Sequence, residues 1–193
     1  MSTLKTNKLV HTANGASEFT LPTADGSANQ LLKTDGSGNL GWATDQGGKL
    51  KQIKYAQDTT LVETTSTSYQ TYTQLSIDIT PTSSSNLIFC QLAVVANVYQ
   101  NSGTDAHGQI AVTDDNGSSY LFQNEIRFYD YGGSGGFLLV TTGGSHIETA
   151  GTTSAKSYKV RFKKIAGSKI VLNNYGTSAN INNSFFSIME IEP

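Results

Sequence analysis

The chain has 193 residues, a formal charge of −2, an isoelectric point near 5.9 and only 15% charged residues. That length allows one sizeable domain plus an extension, while nothing in the overall charge points to nucleic acid, whose backbone calls for a concentrated basic footprint. A single cysteine, Cys90, excludes an internal disulfide framework.

No run nears the roughly 20 apolar residues that span a bilayer, and residues 1–12 lack the hydrophobic stretch of a secretory signal. The expectation is a protein that stays in the cytoplasm where it is made, without membrane insertion. Sustained helical periodicity is absent and period-two alternation recurs, so the chain is expected to be all-β.

Residues 1–48 read as one region. Asp25-Gly26-Ser27-Ala28-Asn29 returns as Asp35-Gly36-Ser37-Gly38-Asn39. Each copy is a turn signal, because Gly accepts positive φ and Asp or Asn bonds its own backbone. The first copy is followed by Leu31 and Leu32, the second by Leu40 and Trp42. Two such units cannot bury a core alone and need neighbours to stack on. Trimerisation through residues 23–48, with these four side chains at its centre, is inferred from that shortage of core.

From residue 49 onward strands follow at short intervals. Thr73, Leu75, Ile77 and Ile79 alternate with polar residues and stop at Pro81. The run from Leu87 to Tyr99 is the strongest. Its even side, from Ile88 to Val98, is wholly apolar and its odd side mostly so. A strand apolar on both sides is covered on both, by another sheet or by another subunit. Ile110 and Val112 lead into Asp114-Asp115-Asn116-Gly117, a hairpin signal with Tyr120 and Phe122 on the return. Ile126 with Phe128, then Phe137 to Val140, Tyr158 to Phe162, Ile170 to Leu172 and Phe185 to Ile191 complete eight or nine strands. Such spacing suits an antiparallel sandwich or jelly roll over 49–193.

The stretches Leu21-Pro22-Thr23-Ala24-Asp25-Gly26 and Gln30-Leu31-Leu32-Lys33-Thr34-Asp35-Gly36-Ser37-Gly38-Asn39-Leu40-Gly41-Trp42 resemble a module common in tail-fibre and virion-fibre proteins of bacteriophages. Residues 65–81, from Ser66-Thr67-Ser68-Tyr69 to Leu75-Ser76-Ile77-Asp78-Ile79-Thr80-Pro81, are similar to the opening of marine-phage fibre heads. The resemblance implies a homotrimer whose C-terminal jelly roll is related to tumour-necrosis-factor-like folds. It implies residues 1–22 as a particle-attachment segment docking on other virion proteins, and a virion location after assembly in the bacterial cytoplasm. It also implies a short tail fibre whose head contacts a host glycan or protein, with a head fibre or capsid decoration as the alternative.

Several motifs invite chemistry. Residues 36–41 match a dinucleotide-binding glycine pattern, but that pattern works only where a helix follows, and the sequence after Trp42 cannot start one. Asp114 to Gly117 lacks the closing carboxylate of a calcium loop. His107 and His146 have no second ligand at a metal spacing, and Cys90 lies on an apolar side where a thiol is inert. No cofactor, metal or enzymatic activity is expected. Lys156, Lys159, Arg161, Lys163, Lys164 and Lys169 read first as a solvated strand face opposite Glu190 and Glu192, and second as an attraction for anionic polysaccharide. The receptor-contact candidates are Tyr129, Tyr131, Gly133 and Gly135 in a tyrosine-glycine loop, with Tyr99 and Tyr175 beside the polar loops 100–105 and 173–183. Tyrosine offers a flat apolar face with a polar tip.

Overall fold

The computed structural model describes residues 6–10, 18–45, 48–101, 103, 105–114, 119–129, 135–173 and 183–193, and among them the chain is all β with no helix. It divides into two compact units, Met1–Gly48 and Lys49–Pro193.

The first unit contains two antiparallel pairs, β1 (Lys8–Val10) with β2 (Glu18–Thr20) and β3 (Gln30–Thr34) with β4 (Leu40–Thr44). The second repeat makes the β3–β4 turn. The Asp35 carboxylate accepts from Ser37 N at 2.8 Å, Asn39 N at 3.0 Å and Asn39 Nδ2 at 2.6 Å, while Gly36 and Gly38 take φ of 82° and 91°. The first repeat lies under the indole of Trp42. Its Nε1 donates to Ala24 O at 2.8 Å, and a Cβ on Gly26 would sit 2.6 Å from the ring, so only glycine fits there. No described residue of this unit is buried.

The second unit holds β5 (Leu50–Asp58), β6 (Val62–Thr64), β7 (Gln70–Ile79), β8 (Leu87–Gln100), β9 (Asp105–Asp114), β10 (Ser119–Tyr129), β11 (Gly136–Thr149), β12 (Lys156–Ala166), β13 (Lys169–Leu172) and β14 (Ser184–Ile191). One sheet has the order β10-β9-β12-β7. In the other, β11 runs along one side of β8, and β14 then β13 line its other side, with β5 and β6 beyond them. The pairings nest: β9 with β10, β8 with β11, β7 with β12 and β5 with β14, all antiparallel.

Alternation explains the core. Ile88, Cys90, Leu92, Val94, Ala96 and Val98 of β8 are buried. They join Tyr72, Leu75, Ile77 and Ile79 of β7, Ile110 and Val112 of β9, and Tyr158, Val160 and Phe162 of β12 in one cluster. Cys90 is a free buried thiol, and burial followed by the nearby Glu148 pushes it up to about 12.

Several strand assignments change. β5 and the short β6 were not foreseen. β10 is one strand where two short ones were expected. β11 continues past Val140 to Thr149 through Gly143 and Gly144, where a side chain on Gly144 would press on the Phe122 ring.

Two polar clusters lock the second unit. Glu190 is fully buried and accepts from Gln52 Nε2 at 2.5 Å, Thr82 N at 2.6 Å, Thr82 Oγ1 at 2.8 Å and Asn86 Nδ2 at 2.7 Å. Burial alone would raise this carboxyl, but the donors outweigh it and hold it at about 2. Toward the other end, Tyr72 donates to Asp58 at 2.7 Å. Asn173 donates to Tyr72 and to the carbonyls of Asp58 and Thr60, and Ser184 donates to Asn173.

Candidate functional site

Asn101, Gly103, Gly135, Gly167 and Ser168 lie at one end of the second unit, beside the Gln100 end of β8. Lys49 enters at the opposite end, where Ile191 pairs with Leu50 and Leu87. Ser168 N donates to Tyr99 O at 2.8 Å and Asn101 N donates to Ser168 Oγ at 2.9 Å. Gly135 has φ of 85°, and a Cβ there would stand 2.8 Å from the carbonyl oxygens of Gln100 and Asn101. Gly135 is therefore glycine for an internal reason, which the sequence did not disclose.

Tyr129 and Tyr99 share this end but not a face. Tyr129 pairs with Asp105 on the outside of the four-stranded sheet and is half exposed, with the Arg127 guanidinium 4.5 Å from its ring centre. Arg127 is itself bidentate to Asp105 at 3.2 and 3.0 Å. Tyr99 lies on the outside of the other sheet. It stacks on Phe137 at 5.4 Å, accepts from Asn97 Nδ2 at 3.2 Å and lies under Lys169 Nζ. Tyr131, Gly133 and Tyr175 fall outside the described residues.

The outer face of the β5-β14-β8-β11 sheet emerges from the register. Ile53, Met189, Phe89 and Ile147 stand abreast on four neighbouring strands, and Leu50, Ile191 and Leu87 form the next row. Leu50, Ile53, Tyr55, Phe137 and Ile147 are each more than half exposed, Tyr55 reaching 71%. The odd side of β8, apolar in sequence, is thus open on the single chain.

In the first unit the four trimerisation candidates divide. Leu32 pairs with Trp42 and Thr34 with Leu40, which puts Leu32, Leu40 and Trp42 on one side of the hairpin and Leu31 on the other with Ala43. Leu31, Leu32 and Trp42 are exposed. Residues 1–5 and 11–17 of the expected attachment segment lie outside the described residues.

The basic cluster needs correction. Lys156 points into the core, where it pairs with Glu148 at 2.7 Å, and Tyr158 donates to the same carboxylate at 2.6 Å. Lys169 pairs with Glu63 and Glu192 with Lys51, both at 2.6 Å, while Glu190 is buried in its own cluster. Glu190 and β12 belong to different sheets, so the expected pairing across neighbouring strands does not occur.

His107 Nε2 lies 3.3 Å from Glu125, and His146 Nε2 lies 3.9 Å from Glu148. Among the described residues no group of three His, Cys, Asp or Glu could hold a metal ion. The glycines of residues 36–41 lead into strand β4, not into a helix. No protein-family model matches the sequence, and no curated protein matches it.

Proposed function

We propose that the chain is a structural, non-enzymatic component of a bacteriophage virion, a homotrimeric short tail fibre whose C-terminal head contacts the host cell surface. The observation that carries this is surface left uncovered. The outer face of the β5-β14-β8-β11 sheet shows a two-row apolar band, and the first unit buries no described side chain. Leu50, Ile53, Tyr55 and Ile147, neighbours on that face and each more than half exposed, leave on the order of 400 Å² of contiguous apolar surface, a patch of the size that marks an interaction surface on a monomer. A second and third copy of the same chain supply the missing cover at both places. The number three follows the resemblance of residues 21–42 to fibre modules.

In the finer reading of the fold, residues 49–193 form a jelly roll of the tumour-necrosis-factor-like kind. Its support is the nested pairing from β9–β10 outward to β5–β14, the pattern of one long ribbon wrapped over two sheets. Residues 1–22 dock on the particle and residues 23–48 tie the copies together. Entry of the chain at one end of the second unit, with Asn101, Gly135 and Ser168 gathered at the other, suits a head that presents that far end outward. Three copies would then multiply weak single contacts.

The alternative of a head fibre or capsid decoration without receptor is favoured by one observation: Tyr99 and Gly135 both serve internal packing. Adsorption of the purified protein to host cells, compared with Tyr129→Ala and Tyr131→Ala variants, separates the two. Loss of adsorption in the variants supports the fibre, and a wild type that does not adsorb at micromolar concentration refutes it. A monomeric mass by light scattering would refute both.

A further inference from the structure

We propose that the outer face of the β10-β9-β12-β7 sheet carries a binding strip for an acidic polysaccharide, built from Lys159, Arg161 and Lys163 with Tyr69 and Tyr120. This rests on the host-contact reading above and gives it a ligand class and a location away from the loop end. Burial of Tyr158, Val160 and Phe162 in the core puts the three cations on the outside of one strand, about 7 Å apart along it.

Among the described residues no carboxylate pairs with any of the three. The ion pairs of this face, Arg127–Asp105 and His107–Glu125, lie on β9 and β10. The acidic residues that would have made the strip a plain solvated face, Glu190 and Glu192, are engaged in the other sheet. Among the described residues, Arg161 has one side-chain hydrogen bond, a long 3.4 Å one from Nη2 to Tyr69 O, and its Nε is buried without an acceptor.

Aromatic rings stand beside the cations. Lys163 Nζ is 4.5 Å from the centre of the Tyr69 ring, and the Tyr69 and Tyr120 rings are 5.3 Å apart at a tilt of 43°. Tyr120 is nearly half exposed. Tyr69 OH donates to Gln109, which in turn donates to Glu125 at 2.6 Å, so amide and carboxylate groups line the same edge. Cations for acid groups, a ring face for sugar C–H and amide or carboxylate partners for hydroxyls are what a chain of acidic sugars requires. Three cations flanked by Glu125 fall short of the roughly 6–10 phosphate contacts of a nucleic-acid site.

The test is calorimetric titration of the full chain with polygalacturonate at low ionic strength, with neutral dextran and single-stranded oligothymidylate as comparators. Polygalacturonate should bind, weaken with added salt, and lose at least tenfold in affinity in Arg161→Gln/Lys163→Gln. Tyr120→Ala should lose several-fold while melting at the wild-type temperature. Lys33→Gln/Lys54→Gln, which removes the same charge elsewhere, should stay within twofold. The proposal is overturned if polygalacturonate does not bind, if dextran or oligothymidylate binds as well, or if both double variants weaken alike. Host-cell adsorption measured alongside keeps the readings apart. Adsorption without polygalacturonate binding overturns the strip alone, and polygalacturonate binding without adsorption overturns the host contact alone.

Discussion

The two outer faces of the head share one core and have opposite chemistry. On the β10-β9-β12-β7 side, the residues that alternate outward are Lys159, Arg161, Lys163, Gln109, Glu125 and Arg127, and their long stems cover Ala111 and Thr113. On the β5-β14-β8-β11 side they are Ile53, Met189, Phe89 and Ile147. A solvated face needs only one apolar side per strand, and β12 has that. Strand β8 has two, and the second, with Phe89 beside Ile147 and Met189, is left open on the single chain.

The comparison breaks most visibly if charge is placed in the apolar row. Ile53→Glu with Ile147→Glu should weaken self-association by about 4 kcal/mol, close to a thousandfold, because each buried carboxylate lacks a partner. Sedimentation equilibrium over a dilution series reads the change, and an unchanged mass profile would remove this face from the assembly.

Acid should sharpen it next. Glu190 titrates at about 2 when folded, against an ordinary value of 4.5. A depressed carboxyl contributes its stability above the unfolded value and loses it as pH falls, so the decline runs from about pH 5 to pH 2 and amounts to roughly 3 kcal/mol. Urea unfolding across that window measures the loss, and Glu190→Gln should flatten the slope. Because Glu190 ties β14 to Gln52 of β5 and to Thr82 and Asn86, hydrogen exchange should open the apolar face before the basic one.

Tyr72→Phe removes the hydroxyl between Asp58 and Asn173 and should cost about 1–2 kcal/mol, read by thermal melting. At the small end, Lys159→Gln should change self-association by less than about 0.5 kcal/mol. A larger effect would mean that copies meet through the basic face instead.

Much of this was legible in the sequence. Strand β8, the β9–β10 hairpin and the alternation of β12 were all visible, because their buried sides are apolar. Strand β5 was not, for a physical reason. Its inward residues include Gln52, bound to Glu190, and Ala56, while Ile53 and Tyr55 point outward. An inverted pattern of that kind looks like noise until the neighbour on the outside is supplied. The far half of β11, beyond Val140, contains Gly143 and Gly144, which carry no side chain to show alternation and stand where Leu92 and Phe122 leave no room for one. The polar network of Glu190 could not be foreseen, since Gln52, Thr82 and Asn86 meet it across more than a hundred residues. The sequence named Tyr129, which is half exposed beside Arg127, whereas the packing of Tyr99 on Phe137 and of Gly135 on the Gln100 and Asn101 carbonyls depends on contacts between residues far apart in the chain.

The nested pairing has a consequence for biosynthesis. Strand β14, which follows the other strands of the second unit in chain order, lies in the interior of its sheet between β5 and β8, and supplies Met189 and Ile191 to the apolar rows. A polypeptide halted before Ser184 leaves β5 without its hydrogen-bonding neighbour and the assembly face with a gap through its middle. Packing of the β5-β14-β8 sheet therefore waits on β14, and a chain cut before it lacks both the hydrogen bonds that hold β5 and two side chains of the apolar rows.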